Sequence, residues 1–246
     1  MSAVSFSILT VTRNASAGIV PTARSLRGQV GVSVQWVIKD GNSTDDTIDA
    51  ARAYEPDLLL VHRDTGIYDA MNQALALATG DWIFFLNAAD EFCDEEVLRD
   101  VGVVLASHPD AEIVFGDVLY AGIAGVHRKR FHWVTRRRLL FGDLCHQAVF
   151  VRRSLFQRIG LFDASLRWNA DFDWFIRAVR AGARLHYLHR DIARFDDAGA
   201  HVQAGASSEA ERNTVRARYL PLPIWRLGNW ALRAEFKLRR LAGQTV

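Results

Sequence analysis

The stretch that most constrains this chain is GDWIFFLNAADEF at positions 80–92. Residues 82–86 form a continuous apolar run, short enough for a strand covered on both faces. Asn87 and Asp90 follow where that strand must stop. In open α/β sheets ligands bind at the carboxyl ends of the strands. A carboxylate there suits a cation and, through it, a phosphate. A turn with a helix cap would use the same residues, so the stretch alone leaves both readings open.

Upstream, the chain alternates between two periods. Positions 6–12 alternate apolar and polar β-formers and read as a first strand. Positions 19–26 read as a helix starting near Pro21, 32–39 as a second strand, and 58–62 as a third. Ser43 and Asp46 resemble a capping box for a helix that runs to about Tyr54. Ile67, Ala70, Met71, Ala74, Leu75 and Ala78 recur at helical spacing. Strand–helix alternation of this kind predicts an α/β fold: a mostly parallel sheet with helices on both faces. A helix over 94–107 and a strand over 112–120 continue it. Regularity fades over 121–153, a basic and aromatic stretch, and returns in 150–158, in a helix from Asp171 and in a short strand over 184–189. Positions 196–208 read as a mobile loop, and 209–218 and 225–241 as helices.

Composition narrows the function classes. The length, 246 residues, fits one large domain or one domain with an appendage. A formal net charge of +2 gives no support for nucleic acid as partner. Cys93 and Cys145 stand far apart with no CxxC, which argues against a zinc site or disulfide framework and suits a reducing compartment. No charged-then-apolar leader appears, and no run approaches the ~18 apolar residues of a membrane span. The expectation is a cytoplasmic protein.

Several residues could carry chemistry. In DGNSTDD at 40–46, an acid at a strand end is followed by glycine and a helix start. Asp40 could accept hydrogen bonds from a ribose or base, and Gly41 would let the backbone come close; an ordinary strand-to-helix turn uses the same types. No GxGxxG follows the first strand, so the dinucleotide fingerprint is absent. Tyr68 and Asn72 share a helix face opposite the apolar stripe, pointing to a cleft or to water. Asp171 and Asp173 open a helix whose core face is Phe172, Phe175 and Ile176. They read either as capping charges or, for Asp171, as a general base at the edge of the core. His146 and Gln147 lead into a strand-like segment.

Taken together, TVTRN at 10–14, VIKDGNSTD at 37–45, DTGIYDAMN at 64–72, GDWIFFLNAAD at 80–90, His146-Gln147 and the acids around Phe172 resemble a family 2 glycosyltransferase with the GT-A fold. The likeness spans roughly residues 5–200 and is nearest to bacterial enzymes that build cell-surface polysaccharides. It implies inverting transfer of a sugar from a nucleoside-diphosphate sugar to an acceptor hydroxyl on a glycan or lipid-linked carrier. It implies a Rossmann-like nucleotide-binding half over about 1–120, an acceptor-binding half over about 121–205 and a helical extension over 206–246. By the same resemblance Thr12, Asn14, Asp40 and Asn72 border the nucleotide, and Asn87 to Asp90 fall at the DxD motif for diphosphate and Mg²⁺ or Mn²⁺. Asp171 matches the catalytic base, and His146, Gln147 and Asp173 border the substrates. The metal motif departs from the family: Asn87 and Ala89 stand where two acids are expected, and only Asp90 is a carboxylate. That departure supports an alternative, a non-catalytic nucleotide-sugar-binding or scaffold protein of the same fold. A nucleotidyltransferase would carry a Gly-rich basic loop after the first strand, which 12–18 lacks.

Near the C-terminus, Leu227, Ala231, Ala234, Leu238 and Leu241 form an apolar stripe beside Arg226, Arg233, Lys237 and Arg240, with Trp225 and Trp230 flanking. Such a helix suits peripheral contact with the inner face of an anionic membrane, and equally packing on the sheet or on a second subunit.

Overall fold

The computed structural model describes residues 4–122, 125–140, 144–196 and 205–241. In chain order the first half is β1 (Phe6–Thr12), α1 (Ser16–Arg27), β2 (Val34–Asp40), α2 (Thr47–Arg52), β3 (Leu58–Val61), α3 (Ile67–Leu75) and β4 (Trp82–Phe85). β5 (Glu91–Phe92), α4 (Val97–Ser107), β6 (Ile113–Gly122), β7 (Gly125–Lys129), β8 (Val149–Arg152) and α5 (Arg153–Ile159) follow. The chain then forms α6 (Ala170–Arg180), β9 (Leu185–Asp196), α7 (Gly205–Tyr219) and α8 (Leu222–Leu241).

The strands form one sheet in the order β3-β2-β1-β4-β8-β6-β9-β5, with β7 added on β6. β1 runs parallel to β2 and to β4, and β2 parallel to β3. Every residue of β1 is buried, so both faces of the sheet are covered there. Right-handed crossovers place α1 and α2 on one face and α3 on the other. The winding runs outward from β1 to β3 and then returns to place β4 on β1's other side. That reversal leaves a crevice at the carboxyl ends of β1 and β4.

The second half of the sheet is mixed. β8 lies antiparallel to both β4 and β6, which restores β6 and β9 to the direction of β4. The expected strand over 184–189 extends to twelve residues in β9. β5 and β7 escape the sequence reading because one has two residues and the other is an exposed edge strand with a basic run, and neither shows an apolar alternation. The expected loop over 196–208 is helical from Gly205, and 197–204 lies outside the described residues.

Other departures have local causes. α1 begins at Ser16 and holds Pro21 inside it. Its first turn is pressed onto the loop after β4, where a Cβ on Gly18 would come 3.0 Å from the Ala89 nitrogen. The Ser43–Asp46 capping box does not form. Ser43 instead donates from its N–H (2.7 Å) and its hydroxyl (2.5 Å) to the Asp40 carboxylate, and α2 starts only at Thr47. On α3, Ile67 is 45% exposed whereas Tyr68 is 5% exposed. The polar face read as open to cleft or water is covered by residues from the second half of the chain.

Asn72 makes that cover a staple. Its amide donates to the Phe162 carbonyl (2.9 Å) and accepts from the Phe162 N–H (3.0 Å). Phe162 in turn fits among Phe85, Phe156 and Trp174. Asn72→Ala strands both backbone groups and is expected to cost about 2 kcal/mol. Urea unfolding should show a lower midpoint at an unchanged slope.

Candidate active site

The crevice at the carboxyl ends of β1, β2 and β4 gathers most of the polar residues singled out above. Thr12 and Asp40 are register partners at the ends of β1 and β2. Asp40 is fully buried, and both its oxygens are taken by Ser43. Asn14, in the left-handed region at φ 49°, accepts the Thr44 N–H (2.9 Å) and donates its own N–H to Ser43 Oγ (2.8 Å). Thr12, Asn14 and Asp40 therefore belong to one interlocked pair of loops. Gly41 lies where a Cβ would meet Asp64 Oδ2 at 2.8 Å, so any larger residue would have to displace that carboxylate. The same Asp64 neutralises Lys39, whose ammonium is wholly buried at the end of β2.

Across β1 lies the loop 87–90. Leu86 and Ala88 donate to the carbonyls of Leu9 and Val11, which prolongs the parallel path beyond β4. Thr22 Oγ1 sits 2.7 Å from the Asp90 carbonyl and 3.2 Å from that of Asn87 and ties the loop to α1. Two side-chain oxygens here, Asn87 Oδ1 and Asp90 Oδ2, are buried with no hydrogen-bond partner. Burial pushes the Asp90 carboxyl up to about 7, against the pull of His146, the Asn87 backbone and Gln147. No group of three or more His, Cys, Asp or Glu side chains among the described residues is arranged to hold a metal.

The third wall is the start of α6. Asp171 Oδ1 accepts the Phe172 N–H (2.8 Å) and lies 3.0 Å from the Tyr68 hydroxyl, whose single proton also has the Trp168 carbonyl at 2.9 Å. Asp171 Oδ2 lies 3.1 Å from His146 Nδ1. The other ring nitrogen, Nε2, lies 3.4 Å from Asn87 Nδ2. A hydrogen on Nδ1 lets the ring donate to the Asp171 carboxylate. Burial alone would raise Asp171. The hydrogen bond and charge of His146, with the Phe172 N–H and Tyr68, outweigh it and hold the carboxyl below its ordinary range.

Two predicted site residues lie elsewhere. Asn72 is occupied at both ends of its amide by Phe162. Asp173 is buried and accepts from Arg177 (2.9 Å), Tyr219 (2.8 Å) and Arg218 (3.3 Å), which fixes α7 to α6. The sequence reading also missed contributors. Glu211 on α7 accepts the backbone N–H groups of Arg167, Trp168 and Asn169 at 2.7–2.9 Å and so caps the entry to α6 from forty residues away. The Lys39–Asp64 pair and the Tyr68 hydroxyl were likewise unassigned. No local pattern marks a contact of that range; only the placement of Tyr68 beside Asn72 hinted at one.

A crevice at the reversal point of an α/β sheet, walled by the loops after β1, β2 and β4 and by the half-buried Asp171 at the start of α6, is a GT-A-type arrangement. Residues 7–160 match the family model described as glycosyl transferase family 2. A PGL/p-HBAD biosynthesis glycosyltransferase of Mycobacterium bovis is 36% identical over 209 residues, covering 81% of this chain and 79% of the relative. An uncharacterized glycosyltransferase of Mycobacterium tuberculosis is 31% identical over 184 residues, covering 72% and 70%. The chain belongs to glycosyltransferase family 2 and is a glycosyltransferase.

Solved structures share the fold. Staphylococcus aureus TarS 1-349 in complex with UDP-GlcNAc superposes with a TM-score of 0.71 at 19% identity, over 86% of this chain and 65% of that one. Against a longer TarS chain the match spans only 36% of its length. The mannosyltransferase PcManGT of Pyrobaculum calidifontis, in complex with GDP-Man and Mn²⁺, gives 0.68 at 18% identity, over 98% and 76%.

The depressed carboxyl of Asp171 has a consequence for acid stability. Its contribution is complete above the ordinary value of 3.8 and is lost as pH falls through the lower folded value. Asp171→Asn should therefore lose less stability than the wild type between pH 5 and pH 3, measured as urea midpoints across that range.

Proposed function

We propose that the chain transfers a sugar, with inversion, from a nucleoside-diphosphate sugar to a hydroxyl of a cell-surface glycan or glycolipid acceptor. The observation that carries this reading is the chain of contacts Tyr68–Asp171–His146–Asn87, which joins the start of α6 to the loop after β4. The nucleoside lies along Thr12, Asn14 and Asp40, and the diphosphate reaches the loop 87–90 on the other side of β1. Similar structures hold UDP-GlcNAc, UDP and GDP-Man, which supports a nucleotide sugar without choosing its base.

The two partnerless oxygens, Asn87 Oδ1 and Asp90 Oδ2, are the protein ligands a divalent cation would have here. One carboxylate and one amide fit Mg²⁺ or Mn²⁺ when phosphate oxygens and water complete the shell. When bound, such an ion neutralises charge on the departing diphosphate. The chain's own residues do the rest. Among the described residues Asp171 Oδ2 carries only the His146 contact, so it keeps a lone pair for the acceptor hydroxyl. A carboxylate held low is a weak base, suited to a hydroxyl that loses its proton only as the new bond forms. His146 fixes the direction of that oxygen, and the crevice holds both substrates in line.

The acceptor's carrier is proposed from α8. Ile224, Leu227, Trp230 and Leu238 are exposed along it, and Arg226 and Lys237 are exposed beside them. The side chains of Arg233, Arg240 and Leu241 lie outside the described set. No helix among the described residues is long and apolar enough to cross a membrane. An apolar stripe edged with basic groups suits the surface of an anionic bilayer. The full chain should float with phosphatidylglycerol vesicles, and Leu227→Asp with Trp230→Asp should abolish flotation without lowering the melting temperature. Equal flotation of both proteins would remove membrane contact from the proposal.

The Asn87 and Ala89 substitutions favour one other reading, a protein of this fold that binds nucleotide sugars without turning them over. Asp171→Asn separates the two. A transferase should lose about 10²–10⁴-fold in turnover, with an unchanged thermal shift from its donor. A binding protein gives no turnover in either form across a panel of UDP-, GDP- and dTDP-sugars with Mg²⁺ or Mn²⁺.

A further inference from the structure

Beyond the crevice, a cavity of about 720 Å³ opens between β7, β6, β9 and β5. Its volume falls within the roughly 300–1,000 Å³ range of small-molecule sites. We propose that this cavity binds the acceptor as a neutral pyranose, with the sugar's C–H face on Tyr187. The proposal rests on the transferase reading above and adds the acceptor's class and its seat.

The register of the sheet places the cavity on the side where Asp171 works. Ile83, Val151, Ile113 and Leu185 are successive partners across β4, β8, β6 and β9 and share one face. Two residues further on, Phe85, Val149, Phe115 and Tyr187 share it again. Phe85 meets Phe156 and Phe162 on the α5 and α6 side, and the Phe115 ring lies 5.5 Å from that of Tyr187. Asn87 and Asp117 each lie two residues beyond their level, at the same end of the sheet. Two strand spacings separate them, roughly 10 Å.

The chemistry of the lining selects a neutral, hydroxylated ligand. Three guanidinium groups, Arg128, Arg130 and Arg190, face three carboxylates, Asp94, Asp117 and Asp191, so the fixed charges sum to 3 − 3 = 0. They are also mutually engaged: Arg128 with Asp191 at 2.6 Å, and Arg190 with Asp94 at 2.5 Å. Asp117 accepts from the Tyr187 hydroxyl (2.8 Å) and the Phe131 N–H (2.9 Å). An anion entering here would have to compete with the carboxylates already paired to Arg128 and Arg190. A sugar hydroxyl, which both donates and accepts, can add to such pairs without breaking them. The aromatic element is built to match. The Tyr187 ring has His189 edge-on at 4.5 Å and Phe115 tilted at 5.5 Å, neither stacked face to face on it, and His132 stands at 6.5 Å. His132 and His189 are exposed and make no hydrogen bond to another described residue. A flat ring edged by unused imidazole nitrogens offers an apolar platform with polar margins.

The test is saturation-transfer NMR on the full chain with methyl glucoside, methyl galactoside, methyl mannoside and methyl glucuronide. At least one neutral glycoside should receive saturation, strongest on its C–H face. His189→Ala and Arg128→Ala, both at exposed positions, should each weaken that binding roughly tenfold. The thermal shift given by UDP- or GDP-sugars should stay unchanged in both. Absence of any saturation, equal binding by wild type and both variants, or preference for the glucuronide would overturn the proposal. Loss of the signal on adding UDP or GDP, which carry no sugar to transfer, would do the same, since it would place the glycoside in the donor crevice. Failure of every nucleotide sugar to shift the melting temperature strikes the transferase reading instead, and the two failures are read independently.

Discussion

Asp171 is a half-buried carboxylate that stays charged because donors converge on it. A carboxylate taken out of water rises toward neutrality unless it is hydrogen-bonded, and this one receives His146, the Phe172 N–H and a share of the Tyr68 hydroxyl. Those donors come from the turn before β8, from α6 and from α3, elements far apart in the chain. Bringing them to one oxygen pair requires the whole order of the sheet, with β8 inserted antiparallel between β4 and β6. Asp90, a few residues past β4, shows the opposite case. It is buried with fewer donors, and its carboxyl is pushed up to about 7. One crevice thus holds two acids of different character, set by their neighbours alone.

The first half of the fold was legible because each element there has a local signature. The apolar run at 82–86 became β4, and the alternation at 6–12 became β1 with the same bounds. The parallel order followed from strand–helix alternation. The second half was less legible for physical reasons. β8 is short and antiparallel, β7 is a charged edge, and β9 passes through a bulge where its register with β6 shifts between Phe115 and Val118. None of these announces itself in a window of a dozen residues.

The site divides the same way. Thr12, Asn14, Asp40, Asn87, Asp90, His146, Gln147 and Asp171 were visible as polar residues at strand ends or helix starts, and the structure has them at the ends of β1, β2 and β4, in the turn before β8 or at the start of α6. Asn72 and Asp173 share that sequence context, and their polar atoms are engaged by Phe162 and by Tyr219 and Arg218, residues well apart from them in the chain. Ser43 and Asp46 looked like a helix cap and are not one, because Asp40 competes for the Ser43 donors. A local motif cannot reveal a competitor held by the neighbouring strand.

The three backbone N–H groups that end on Glu211 tie α7 to the mouth of α6, while Asp173 takes Tyr219 from the other end of α7. α7 is thus a splint laid along the helix that aims the reactive oxygen. Any displacement of α7 would therefore bear first on the turn 167–169 that leads into Asp171, so the fit of a late helix sets the shape of a loop formed forty residues earlier.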